Sequence, residues 1–121
     1  DEFLGLVLAD VSARGKLLTP WADVKRTRML PNYPNPFNPE TWIPFDLAEA
    51  GPATVTVYDA VGRAVRRIDL GYTTAGSHRT RDRAAYWDGR NDAGEPVASG
   101  AYVAEFSSGS VSQTRRITLA K

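Results

Sequence analysis

From Trp42 onward, apolar and polar residues alternate with a period of two. Ile43, Phe45 and Leu47 are interleaved with Trp42, Pro44 and Asp46, the spacing of a strand that buries one face. Pro44 has no N–H to donate, which places this strand at a sheet edge or at a bulge. After a turn around Ala50-Gly51-Pro52, Val55 and Val57 alternate with Thr54, Thr56 and Tyr58. Asp59-Ala60-Val61-Gly62 then predicts a hairpin turn, with glycine where a positive φ is needed. The out-of-step spacing of Val65, Ile68 and Leu70 predicts a bulge in the returning strand. Further strand-like segments cover residues 78–81, 84–87, 101–106 and 111–120, punctuated by glycines at 71, 76, 89, 94, 100 and 109. About seven short strands with no helical pattern among them predict an antiparallel β-sandwich of about ninety residues. Its inner faces are expected to carry Ile43, Phe45, Leu47, Val55, Val57, Ile68, Leu70, Trp87, Tyr102, Ala104, Phe106, Ile117 and Leu119.

Helical spacing occurs only in residues 1–14, where Phe3, Leu4, Val7, Leu8 and Val11 share one face and Gly15 is placed as a stop. A short amphipathic helix is marginal alone, so it is expected to pack on the domain, on a partner, or on protein upstream. Residues 16–29, with Pro20 and Lys25-Arg26-Thr27-Arg28, look like a connection that Trp21 tacks down. The chain therefore divides into an N-terminal helix or extended linker with its connection, 1–29, and a β domain, 30–121. A start at Asp1 without an initiator Met makes the chain look like part of something longer.

Residues 30–41 hold four of the eight prolines and three asparagines, a composition that suits neither a helix nor a central strand. Proline fixes φ and pushes the preceding residue toward extended geometry, and asparagine closes local turns on the backbone. The result is a stiff lead-in whose two rings, Tyr33 and Phe37, are expected to anchor on the following domain.

A hydrophobic fraction of 42% supports a folded core, and the absence of cysteine removes disulfides, thiolate zinc sites and a cysteine nucleophile. The longest uncharged apolar run, residues 4–9, is too short to cross a bilayer, so no membrane insertion is expected. Net charge is +1, but residues 1–59 hold eight acids and five bases while residues 60–121 hold six acids and ten bases. Spread over several strands, the arginines of the second half fit solvated faces better than a nucleic-acid groove. Catalysis is not expected: His78 is the single histidine, with no serine in an elbow motif, and looks like an ordinary surface residue. No cofactor or metal is expected. The oxygens of Asp88, Asn91, Asp92 and Glu95 could suit calcium, but they miss the EF-hand pattern, and turn chemistry explains the same residues.

The second informative block runs from Tyr86 through Trp87-Asp88-Gly89-Arg90-Asn91 to Gly94, Ser99, Gly100 and Tyr102. A large aromatic ends a strand, two tight turns follow, and Ser-Gly releases the chain into the next strand. Asn35-Pro36-Phe37-Asn38-Pro39-Glu40-Thr41, then Val57-Tyr58-Asp59 with Gly62-Arg63, then this block, then Arg116-Ile117-Thr118-Leu119-Ala120-Lys121 stand in one order. That ordered set resembles the C-terminal sorting domains of type IX secretion, which are related to the Ig-like domain of the flagellar hook-capping protein; the resemblance spans residues 30–121. It implies an all-β, Ig-like antiparallel sandwich that works in export. Such domains send an attached cargo through the outer membrane to the cell surface, passing the periplasm in transit. The implied partners are the outer-membrane secretion machinery, a sortase-like peptidase and the upstream cargo domain. By position, Asn35, Pro36, Phe37, Asn38 and Pro39 correspond to the family's opening motif. Trp87, Asp88, Gly89, Gly94, Gly100 and Tyr102 form its structural turn block, and Arg115, Arg116, Thr118 and Lys121 its C-terminal recognition segment. An edge strand with exposed backbone groups can also accept a partner strand, and the final segment can supply or cover such an edge. The competing reading is an Ig-like interaction module that binds a partner surface protein or a glycan, the latter by stacking on Tyr33, Trp42, Tyr58 or Tyr72.

Overall fold

A computed structural model describes residues 25–121; the expected helix of residues 1–14 and Trp21 lie outside them. The described residues form nine strands and no helix: β1 (Arg28–Met29), β2 (Thr41–Ile43), β3 (Phe45–Leu47), β4 (Gly51–Tyr58), β5 (Ala64–Thr73), β6 (Gly76–His78), β7 (Ala85–Trp87), β8 (Gly100–Ser108) and β9 (Val111–Leu119). The long strands make one antiparallel sheet in the order β9-β8-β4-β5, and the short ones make β1-β3-β6 and β2-β7. The inner faces meet through Phe45 on Phe106, ring centroids 4.7 Å apart, and Trp87 edge-on to Tyr102 at 5.5 Å. This is the antiparallel sandwich that the alternation predicts, in the Ig-like form that the resemblance implies.

The continuous strand expected across residues 42–47 is divided at Pro44. Thr41–Ile43 pairs with Ala85–Trp87, whereas Phe45–Leu47 pairs with both Arg28–Met29 and Gly76–His78. Proline has no N–H for a ladder, so the chain changes partners there. This division, with the two-residue β1, raises the strand number above seven.

The hairpin turn at 59–62 is present: Gly62 has φ +88°, its N–H donates to the Asp59 carbonyl at 3.0 Å, and the Asp59 carboxylate accepts from the N–H groups of Val61 and Arg63. The predicted bulge is present as two register shifts, one skipping Val65 and one skipping Leu70. Those kinks leave Val65, Ile68 and Leu70 half-buried against the core instead of inside it. The other eleven expected core residues are buried, joined by Met29, Phe37, Ala53 and Ala85.

Three expectations need correcting. Asp46, assigned outward by alternation, is buried, because Arg28 and Arg79 both reach its carboxylate. His78 is also buried: its ring stacks on Phe45 at 4.7 Å and Nε2 lies 2.7 Å from the Thr74 carbonyl. The strand expected at 78–81 sits instead at Gly76–His78, after which the N–H groups of Arg83 and Ala84 close a turn on the Thr80 carbonyl.

Candidate functional site

The lead-in is held by buried polar groups that satisfy one another. Asn32 Nδ2 donates to Thr41 Oγ1 at 3.0 Å and to the Pro34 carbonyl at 3.2 Å, and Thr41 Oγ1 donates to the same carbonyl. Tyr33 and Trp42 exchange backbone hydrogen bonds at 2.9 Å, which lays the start of the lead-in along β2. The peptide bonds before Pro34, Pro36 and Pro39 are cis.

So held, the chain crosses to the outer edge of β9. The Phe37 N–H donates to the Thr118 carbonyl and its carbonyl accepts the Ala120 N–H, both at 2.9 Å. Asn35 Oδ1 accepts the Thr118 N–H at 3.1 Å. The Phe37 ring is 1% exposed and lies 5.5 Å from Trp87, which in turn contacts Tyr102. Phe37, Trp87 and Tyr102 thus form one line of rings that joins the lead-in to the turn block.

The turn block closes the same end. Pro39 presses its carbonyl onto Gly89, where a Cβ would stand 2.5 Å from that oxygen; Gly89 also has φ +76°. Glycine is therefore required twice over, by contact and by conformation. Trp87 Nε1 donates to the Arg90 carbonyl at 2.9 Å, and the Tyr102 hydroxyl to the Ala98 carbonyl at 2.5 Å. Burial raises the Tyr102 phenol pKa, with the Asp59 charge adding to it. Asn91 Oδ1 accepts the N–H groups of Ala93 and Glu95, so the turn around Gly94 is built from its own side chain. Asp88 Oδ1 accepts from Arg66 Nη1 and from the Arg90 N–H, and Asp92 Oδ1 accepts the Arg67 N–H. Oδ1 of Asp88, Asn91 and Asp92 thus serves turn and strand contacts. Among the described residues no group of His, Cys, Asp or Glu is arranged to hold a metal ion.

Of the C-terminal segment, Thr118 is half-buried with both backbone groups engaged, and the Lys121 N–H donates to Ser99 Oγ at 3.0 Å. Arg115 and Arg116 are exposed. Asn38 is exposed, and Pro39 and Gly100 are on the surface of the turn region. The opening motif, the turn block and the final strand therefore meet at one end of the sandwich.

The aromatics considered for sugar stacking are dispersed. Tyr33 stacks on Trp42 at 6.2 Å, Tyr86 lies tilted against it at 5.4 Å, and the Arg81 guanidinium covers the Trp42 ring at 4.3 Å. The Tyr33 hydroxyl donates to the Arg79 carbonyl. Glu40 accepts from the Tyr86 hydroxyl at 2.6 Å, and this bond pushes the phenol up to about 12. Tyr58 donates to Glu105 on the outer face of the large sheet, and Tyr72 is 76% exposed on its own.

Sequence reasoning overlooked Asn32, Arg66 and Gln113, whose Oε1 accepts the Met29 N–H at 2.7 Å. Asn32 carried a local signal, through its place among the prolines, and its partner Thr41 is nine residues away; Arg66 and Gln113 reach partners 22 and 84 residues away.

The FlgD Ig-like domain family matches residues 43–110, more than half of the chain. The chain belongs to that family. The match contains β3 to β8 and the whole turn block, and it stops short of both the opening motif and residues 111–121. Among solved structures, FlgD from P. aeruginosa is 25% identical with a TM-score of 0.48, over 81% of this chain and 63% of that one. PorZ, an essential surface component of the type-IX secretion system of Porphyromonas gingivalis, is 18% identical with a TM-score of 0.49, over 78% of this chain and 11% of that one. Dimeric latent PorU from the same organism is 14% identical with a TM-score of 0.53, over 80% of this chain and 10% of that one, a likeness of fold. The chain thus spans less than two thirds of each of these proteins. No curated protein matches it.

Proposed function

We propose that this Ig-like domain is a non-catalytic sorting module that directs an attached cargo through the outer membrane to the cell surface. The observation that carries the reading is the meeting of the Asn35 side chain and the Phe37 backbone with Thr118 and Ala120. The two motifs that flank the family match, and that the resemblance links to export, form one continuous rim. On this reading the outer-membrane secretion machinery grips that rim, with Arg115 and Arg116 exposed beside it. A sortase-like peptidase acts upstream, in the connection to the cargo. Catalysis by the domain itself is not part of the proposal, in keeping with a His78 side chain committed to Phe45 and Thr74.

Deleting residues 114–121 would strip Ile117 and Leu119, both buried, from the core, and so would test folding more than recognition. The sharper experiment is Arg115→Glu with Arg116→Glu in a cargo precursor, because both positions are exposed. Cargo is expected to accumulate in the periplasm while the domain melts normally; normal surface levels would remove this segment from the sorting role.

The boundaries of the family match favour a second reading, an interaction module that pairs with a partner protein and sorts nothing. That match covers 43–110 and omits both flanking motifs. Cargo that reaches the surface when Asn35–Pro39 and Arg115–Arg116 are both altered would select it.

A further inference from the structure

β9 is an edge strand of the large sheet, and among the described residues its edge is closed over only part of its length. Asn35 and Phe37 occupy both backbone groups of Thr118. Alternation along a strand then points the N–H and C=O of Ser112, Thr114 and Arg116 the same way, away from β8. Among the described residues nothing pairs with the outward groups of Thr114 and Arg116. Residues 112–116 are all exposed and span about 13 Å at the usual strand rise. The opposite edge differs: there the Asp92 N–H donates to the Val65 carbonyl and its carboxylate takes the Arg67 N–H. One edge of the sheet is capped by the turn block at Val65 and Arg67, and among the described residues the other is unpaired at Thr114 and Arg116.

The open stretch is basic. Residues 111–121 contain Arg115, Arg116 and Lys121 and no acid. Arg115 and Arg116, adjacent on a strand, project to opposite faces, so a strand added alongside would meet a guanidinium on each. We propose that this stretch accepts an extended, acidic segment of a partner protein as an added β-strand. Backbone groups of Thr114 and Arg116 would supply the ladder, and the two arginines would select carboxylates on either face. A second copy of this chain suits the edge poorly, because antiparallel pairing would set Arg115 and Arg116 against their own counterparts. The inference deepens the sorting reading, on which its biological setting rests, by naming the chemistry of the partner.

The test uses the full chain and fluorescent peptides of about ten residues, enough for one strand, that alternate valine or threonine with glutamate or with lysine. Anisotropy is expected to report binding of the glutamate peptide alone, weakening as salt rises. Thr114→Pro removes an N–H that faces away from β8, so it should spare the sheet while weakening binding at least about tenfold. Arg115→Glu with Arg116→Glu should transfer binding to the lysine peptide, and it carries the test alone should the proline variant melt early. Equal binding of the glutamate peptide by Thr114→Pro, or binding of neither peptide by the unmodified chain, would overturn the proposal. So would a dimer of the chain that Thr114→Pro abolishes. Charge-reversed binding together with normal cargo export would retire the sorting reading and leave the added strand standing.

Discussion

Phe37→Ala removes the ring that packs the lead-in on the turn block, at the residue whose backbone holds the final strand. The ring is 1% exposed and lies 5.5 Å from Trp87. Truncating a buried phenylalanine costs about 3–5 kcal/mol, part of it from the unfilled cavity. Collapse is restricted here, because the backbone on both sides of Phe37 is bonded to Thr118 and Ala120 and prolines stand at 36 and 39. The loss should therefore be about 4 kcal/mol, against a total of about 5–15 kcal/mol for a domain. With a urea slope near 2 kcal/mol/M, the midpoint should fall by about 2 M at unchanged slope. Trp87 fluorescence reports the transition next to the site. Phe37→Leu, which keeps most of the apolar volume, should cost no more than about 1.5 kcal/mol. A midpoint shift below about 0.5 M for Phe37→Ala, equivalent to roughly 1 kcal/mol, would refute the view that this ring locks the final strand in place.

Gly89→Ala forces a Cβ to within 2.5 Å of the Pro39 carbonyl at φ +76°; the conformational part alone is about 1–2 kcal/mol, and calorimetry should find the melting temperature lowered by roughly 10 °C. Burial pushes the Asp46 carboxyl pKa upward, but hydrogen bonds from Arg79, Arg28 and Ser77 more than offset this and hold it below the usual carboxylate value. A depressed folded pKa gives stability that is present above the unfolded value near pH 4 and is lost as pH falls through the folded one. Asp46→Asn should thus cost about 2 kcal/mol of unfolding free energy at pH 7, with both arginines partly in solvent, and the gap should narrow as pH falls below about 4 and close once pH is below the lowered folded pKa; a gap that does not narrow in acid would disprove it. Trypsin should cut after Lys25 or Arg26, both exposed, and spare Arg28, which is held in β1 by Asp46 at 3.0 Å; mass spectrometry showing equally fast cleavage after Arg28 would contradict that tie.

Features with local causes were legible in the sequence. The Asp59–Gly62 turn is made by one side chain and one glycine within five residues, and period-two alternation located Val55, Val57, Ala104, Phe106, Ile117 and Leu119 in the core. Asp46 misled the same rule, since a carboxylate on an outward position becomes buried only when guanidiniums arrive, one of them 33 residues later. His78 was misread for a related reason: its neighbour Phe45 belongs to another strand. The anchoring of Phe37 could be expected from its setting among prolines, but its target could not. Asn35 and Thr118 are 83 residues apart, and no short-range pattern encodes which edge a stiff lead-in will reach. Of the candidate site, then, the parts were visible and their assembly was not.

The grip of residues 35–37 on β9 also bears on when the domain can finish folding. Synthesis proceeds from the N-terminus, so the lead-in and the eight strands β1–β8 exist before Val111 has been added. Until then β8 has a bare flank, Phe37 has no backbone partner, and Ile117 and Leu119 are missing from the interior. Completion of the interior and of the large sheet therefore waits on the segment made last.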